Sequence, residues 1–204
     1  MPETPDVINT LVGIAPGSAL DAIRARRPEA RRQAQASYKA LFEPAAPAGV
    51  SAAERFAVGS FVAGLHRESA IGAFYSERLA ATGAPVALRD AVTTAIAEAR
   101  AQGPYGSYAP GSLSRENAPG PIYRVGSSVR QGLGARLAAA FEHVHLLVFH
   151  PRDAVSTALQ RLLDAGWSTT DIVTLSQIVA FLSFQIRVII GLRALAGAAH
   201  TRGA

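Results

Sequence analysis

Along this chain apolar residues recur at three- and four-residue spacing in segments that open on capping signals and close on glycine or proline, the pattern of amphipathic helices. Ser18 with Asp21 three residues on marks a helix start, and Pro28 fits the first turn of a second helix running toward Phe42, ended by Pro44 and Pro47. Ser51-Ala-Ala-Glu54 is a capping box, in which the hydroxyl takes one free amide and the glutamate reaches back to another, ahead of Phe56, Val58, Phe61, Val62 and Leu65. A further helical stretch extends to about Ala81, with Gly83 as its stop. Val86 to Ala101 carries Leu88, Ala91, Val92, Ala95 and Ile96 at helical spacing, before Gly103-Pro104 closes it.

From 103 to 134 the composition shifts to Gly, Pro, Ser and Tyr without a sustained period, an unusually long connection for a compact domain. Helices resume with Leu137, Phe141, Val144 and Leu147, restart at Pro151 and Asp153, and run to Leu163 before Gly166. Ser168-Thr-Thr-Asp171 repeats the capping logic and opens a long helix with Leu175, Ile178, Val179, Leu182, Ile186, Ile189 and Ile190 on one broad face. Nothing alternates as a strand would, so the expected class is all-α.

The two capped segments also match each other: Ala48 to Glu54, followed after six residues by Phe61 to Leu65, parallels Ala165 to Asp171, followed after six by Ile178 to Leu182. One offset serves both halves of the match, which suggests an internal repeat of a capped helical unit. The expected organisation is one domain: an N-terminal tail (1–16), an N-terminal helical half (17–102), the connection (103–134), a C-terminal helical half (135–198) and a tail (199–204).

The chain has 204 residues, 49% apolar and 17% charged, enough for one well-buried core and for subunit contacts. Its net charge of +5 comes almost wholly from arginine, Lys39 being the only lysine. The densest basic run, Arg24 to Arg32, has no interleaved aromatic residue, so it reads as a solvated face and nucleic acid is not an expected partner. There is no cysteine, which removes disulfides, thiolate metal sites and cysteine nucleophiles. The acidic, polar stretch Met1 to Thr10 lacks the features of a signal peptide, so the expected location is cytoplasmic. Ile172 to Leu192 approaches membrane-spanning length, but Gln177, Gln185 and Arg187 interrupt it, and a buried or subunit-facing helix is the reading adopted.

The stretch ARLAAAFEHVHLLVFHPRDAVSTALQRLLDAGWSTTDIVTLSQIVAFLSFQIRVIIGLRAL resembles the end of peroxidase-related proteins of the alkylhydroperoxidase D and carboxymuconolactone decarboxylase superfamily. In those proteins a helix closes in an Asp-Pro-like turn, a second reaches an Ala-Gly-aromatic-Ser cap, and a long helix carries a late arginine. The counterparts here are His150-Pro151, Ala165 to Ser168, and Arg187. Ser51 to Gly83 resembles the part of the family that carries a Cys-x-x-Cys pair followed by histidines. The resemblance implies a multi-helix bundle of that type and a homo-oligomer. It places the cysteines at Glu68 and Ile71 or at Ser69 and Gly72, and the histidines around Phe74, Tyr75 and Ser76. No thiol stands at any of these positions, so the peroxidase chemistry is not carried over.

In place of the redox motif stand His66, Arg67, Glu68, Ser69 and Tyr75. The candidate catalytic residues are His66 as a base and Glu68 or Tyr75 as acid or orienter, on condition that a helix break separates His66 from Tyr75, since nine residues of one helix put them about 180° apart. Glu54 is a second candidate acid, with capping the simpler role. His143 and His145 diverge by about 200° on a helix, and with His150 they offer no i,i+4 pair, so no metal or other cofactor is expected. Arg187 needs a partner if buried, or else reaches the surface. The functional expectation is a cysteine-less superfamily member that binds a small organic molecule or does cofactor-free acid/base chemistry. A non-catalytic oligomeric scaffold is the alternative.

Overall fold

A computed structural model describes residues 4–202. These residues form nine α-helices and no strand: α1 (Val7–Val12), α2 (Ala19–Ala25), α3 (Pro28–Phe42), α4 (Ala52–Leu65), α5 (Ser69–Ala81), α6 (Val86–Glu98), α7 (Ser127–Phe149), α8 (Ser156–Asp164) and α9 (Thr169–Arg202). Two short 3₁₀ turns, Ser112–Glu116 and Pro151–Asp153, lie between them. The all-α class read from the periodicity is what the chain adopts.

Helix α4 is apolar on every side, and it is accordingly the centre of the molecule, packed against α5, α6, α7 and α9. Phe61 stacks on Phe141 of α7 with ring centroids 4.1 Å apart, while Gly59 lets the Tyr75 ring of α5 approach: a Cβ there would lie 2.7 Å from that ring. Helix α9 puts Leu175, Ile178, Leu182, Ile186 and Ile189 into the same core. Its outer face leaves Val173, Phe184, Ile190 and Leu195 exposed. By length and composition Thr169–Ala198 could cross a membrane, and 44% of its most apolar window is buried inside the protein. Arg187 reaches the exposed side, where its guanidinium donates to the Ser183 carbonyl at 2.7 Å.

One guanidinium ties the starts of α4 and α9 together. Arg136 of α7 donates to the Glu54 carboxylate (2.7 Å), the Asp171 carboxylate (3.3 Å), the Gly49 carbonyl (2.8 Å) and the Gly166 carbonyl. Glu54 and Asp171 occupy corresponding places in the two matching capped segments, as do Gly49 and Gly166. The Arg136 plane also lies over the Trp167 ring at 4.1 Å, and the indole N–H donates to the Arg136 carbonyl at 2.9 Å. Gly49 must lack a side chain, because a Cβ would sit 2.3 Å from Asp171 Oδ1.

Several boundaries differ from the sequence reading. The 1–16 segment is no tail: α1 lies in it, capped by the Asp6 side chain accepting from the Asn9 amide (2.9 Å), with Val7 and Ile8 buried. Arg24 and Arg31 both pair with Asp6, so part of the arginine-rich run holds this helix down and is not a free basic face. The last part of the 103–134 connection is the first two turns of α7, bent where Gly134 takes φ 76°. The rest is pinned by the Tyr105 amide donating to the Phe149 carbonyl (2.6 Å) and by a Gly106–Ala118 bridge. The restart at Pro151 is only a 3₁₀ turn, and α8 begins at Ser156, because the Asp153 carboxylate faces His150 and the Ser107 amide instead of capping a helix. At the other end α9 continues through Arg202, so the 199–204 tail is helical that far, and residues 1–3 and 203–204 lie outside the described residues.

Candidate functional site

The helix break that would let His66 and Tyr75 meet is present. His66 caps α4, Arg67 follows at φ 60°, and Glu68 caps the start of α5. The three side chains nevertheless go separate ways. Tyr75 is fully buried beside Phe42 and Phe74, and its hydroxyl donates to Gln185 Oε1 at 2.6 Å. Burial holds that phenol well above its ordinary pKa, so it stays protonated. Glu68 turns toward Arg193 of α9 (3.4 Å) and lines a shallow groove with Arg67 and Arg100 that neither His66 nor Tyr75 reaches. His66 is half-buried, and burial with the nearby Arg187 charge lowers its pKa. Glu54 is a cap: its carboxylate accepts from the Ser51 amide at 2.8 Å.

A different set of side chains converges between α7, α8 and the 121–125 segment, around a cavity of about 200 Å³. Its polar wall includes Tyr123, Glu142, His143, His145, His150 and Asp153, and its apolar wall Ile122, Ala139, Leu146, Val155 and Ala158. Helix α7 supplies the histidines because Phe141, Val144 and Leu137 anchor its other side in the core. His143 and His145 reach one cavity despite their angular divergence, since the connection walls α7 on one flank and α8 on the other. The sequence reading, which took α7 alone, separated them.

His143 is 5% exposed and Tyr123 8%, yet neither ring nitrogen of His143 nor the hydroxyl of Tyr123 has a hydrogen-bond partner among the described residues. Buried polar side chains are nearly always paired, and two orphans on one cavity wall call for a reason. The other unpaired buried ring or amide nitrogens, His66 Nε2 and Gln185 Nε2, are not on this wall. Burial lowers the His143 pKa, so the ring is neutral at neutral pH and offers one donor and one acceptor. Burial, with the Glu98 and Glu142 charges, raises Tyr123 to about 12, which keeps it a donor. Burial and the His150 charge lower His145 to about 4, against a small opposing effect of a backbone hydrogen bond at Ala99.

Three other polar side chains of the wall, His150, Asp153 and Glu142, are already engaged. His150 Nδ1 faces Asp153 Oδ2 at 2.9 Å and its Nε2 faces the Pro121 carbonyl at 3.0 Å. The His150 hydrogen bond and then the Ser107 amide hold the Asp153 pKa below its ordinary value. Glu142 accepts from Arg130 (2.8 Å), the Val125 amide (3.2 Å) and Arg124 (3.3 Å). Beside the exposed Arg161 and Thr157 at its rim, the wall leaves a buried neutral imidazole and a phenol, a pair able to donate to, accept from and exchange a proton with a bound molecule. Among the described residues no three acidic or histidine side chains are grouped so as to hold a metal ion.

No family model matches this chain, and neither a curated protein nor a solved structure matches it.

Proposed function

We propose that this protein binds a small organic molecule in the cavity between α7, α8 and the 121–125 segment, and that His143 and Tyr123 serve it as hydrogen-bonding and proton-transfer groups without a cofactor. The observation that carries this reading is the pair of unpaired, buried polar side chains on one cavity wall. Leaving them unsatisfied costs the folded chain stability, and a ligand that pairs them removes the cost. The pocket lies away from the His66–Tyr75 region to which the superfamily resemblance pointed. Within that resemblance the chain is read as a cytoplasmic, cysteine-less relative of the alkylhydroperoxidase D and carboxymuconolactone decarboxylase proteins, without thiol chemistry because it holds no cysteine.

A crystallographic fragment screen tests the cavity. The expected result is fragments clustered within hydrogen-bond distance of His143 and Tyr123. Fragments found only elsewhere, with the cavity dry, would remove the reading.

The second reading, an oligomeric scaffold, is favoured by the outer face of α9, where Val173 and Leu195 are 56% and 50% exposed and Phe184 stands between them, beside Gln177 and Arg187. The two readings are compatible, because this face and the cavity lie on different helices. Sedimentation of the wild type and of a Phe184→Glu variant tests the second: dissociation of an oligomer by the variant supports this face as a subunit contact, and a monomeric wild type excludes it.

A further inference from the structure

We infer that the ligand of this cavity is a small carboxylic acid carrying a second oxygen, as a hydroxyl or carbonyl, on an aliphatic body. This rests on the cavity being a ligand site, as proposed above.

The argument is one of charges and donors already spoken for. Both carboxylates on the wall are internally matched, Glu142 by Arg124 and Arg130, and Asp153 by His150 and the Ser107 amide. Arg161, an exposed residue of α8, also lines the cavity, and its guanidinium has no carboxylate within ion-pair distance and no hydrogen-bond partner among the described residues. The unmatched charge of the wall is therefore positive, and it sits on a planar guanidinium whose fork fits a carboxylate. A cationic ligand would find no free carboxylate there. A phosphate, with three oxygens to satisfy, would find a single free cation.

The unpaired His143 ring and Tyr123 hydroxyl then mark the place of a second polar group. Tyr123 can only donate usefully there, and His143 both donates and accepts, which matches an oxygen that accepts one hydrogen bond and, as a hydroxyl, donates another. Ile122 and Val155 stand 71% and 58% exposed on the same wall, apolar surface with nothing packed on it, which an aliphatic chain would cover. At about 200 Å³ the cavity is below the range of roughly 300–1,000 Å³ usual for drug-sized ligands, so the molecule is small.

The test is calorimetric titration of the full chain with a panel of C3–C7 2-hydroxy and 2-oxo acids, 2-hydroxy-4-methylpentanoate among them, each beside its amide and its deoxy analogue. The acids are expected to bind at least tenfold tighter than the amides. Arg161→Gln should bring acids down to the amide level and leave amide binding unchanged, and Tyr123→Phe should weaken hydroxy acids while sparing the deoxy acids. Amides binding as tightly as acids, or acid binding indifferent to Arg161→Gln, overturns the acid class while leaving the cavity reading intact if Tyr123→Phe still weakens the amides. An absence of binding across the acid panel overturns the proposal outright, and the fragment screen then decides separately whether the cavity binds anything.

Discussion

An imidazole buried with both nitrogens unpaired is costly to the fold, by about 1–3 kcal/mol for each unsatisfied group, whereas an apolar side chain of similar size carries no such cost. His143→Leu is therefore expected to raise the stability of the ligand-free protein by about 1–2 kcal/mol, measured by urea unfolding. A loss of the size caused by emptying a core site would show that His143 packs for structure. The lowered pKa values of His143 and His145 add a pH signature. Both stay neutral when folded while the unfolded chain takes up protons below about 6.5, so stability is full above that value and is lost as pH falls toward about 4. The urea midpoint should drop through this window, and less steeply in His143→Leu. Asp171 titrates in a lower window: burial opposes its charge, but the Ser168 hydroxyl and amide and the Arg136 guanidinium outweigh that and lower its pKa, so its contribution holds above about 3.8 and fades below. At this scale the sequence was a partial guide. It singled out His143, His145 and His150, but Tyr123 sits in a segment with no period, and its place on the wall depends on packing against the His145 ring of a distant helix, with centroids 5.3 Å apart.

Helix starts were the most legible elements because a cap is a local event: Ser18, Ser51 and Pro28 each stand where their side-chain chemistry places them. What escaped were elements fixed by tertiary partners. Helix α1 is too short to show a period and is held by Asp6 pairing with Arg24 and Arg31, and the opening of α7 runs through glycines that composition assigns to a loop. Arg136 shows how strongly such partners act. Arg136→Ala would leave the buried Asp171 carboxylate without its guanidinium and free two carbonyls, and is expected to cost about 2–4 kcal/mol by urea unfolding. Arg136→Lys should recover little, since a single ammonium cannot reach four acceptors on two helix starts. The His150–Asp153 pair acts similarly on the connection, gripping it at Pro121 and Ser107. His150→Ala is expected to speed amide hydrogen exchange at Ser107 and in 121–125 while leaving α4 and α9 protected. Unchanged exchange there would show that the other contacts of the connection hold it alone.

At the scale of the whole molecule, the described residues leave two surfaces without a partner that matter here: the polar wall of the cavity and the exposed apolar side chains of α9. The all-α class followed from the absence of any alternating segment, and the buried side of α9 from its period. The site did not follow, because its wall is assembled from three stretches that no local pattern joins, and the segment that replaces the redox motif draws the eye to residues that pack or cap instead. The most direct test of the central claim is thermal unfolding of the wild type and of a Tyr123→Phe/His143→Leu double variant, each with and without the hydroxy acid panel. The account predicts that the variant melts higher than the wild type without ligand and gains less from the acids than the wild type does. A variant that melts lower, or that is stabilised by the acids as much as the wild type, would contradict it.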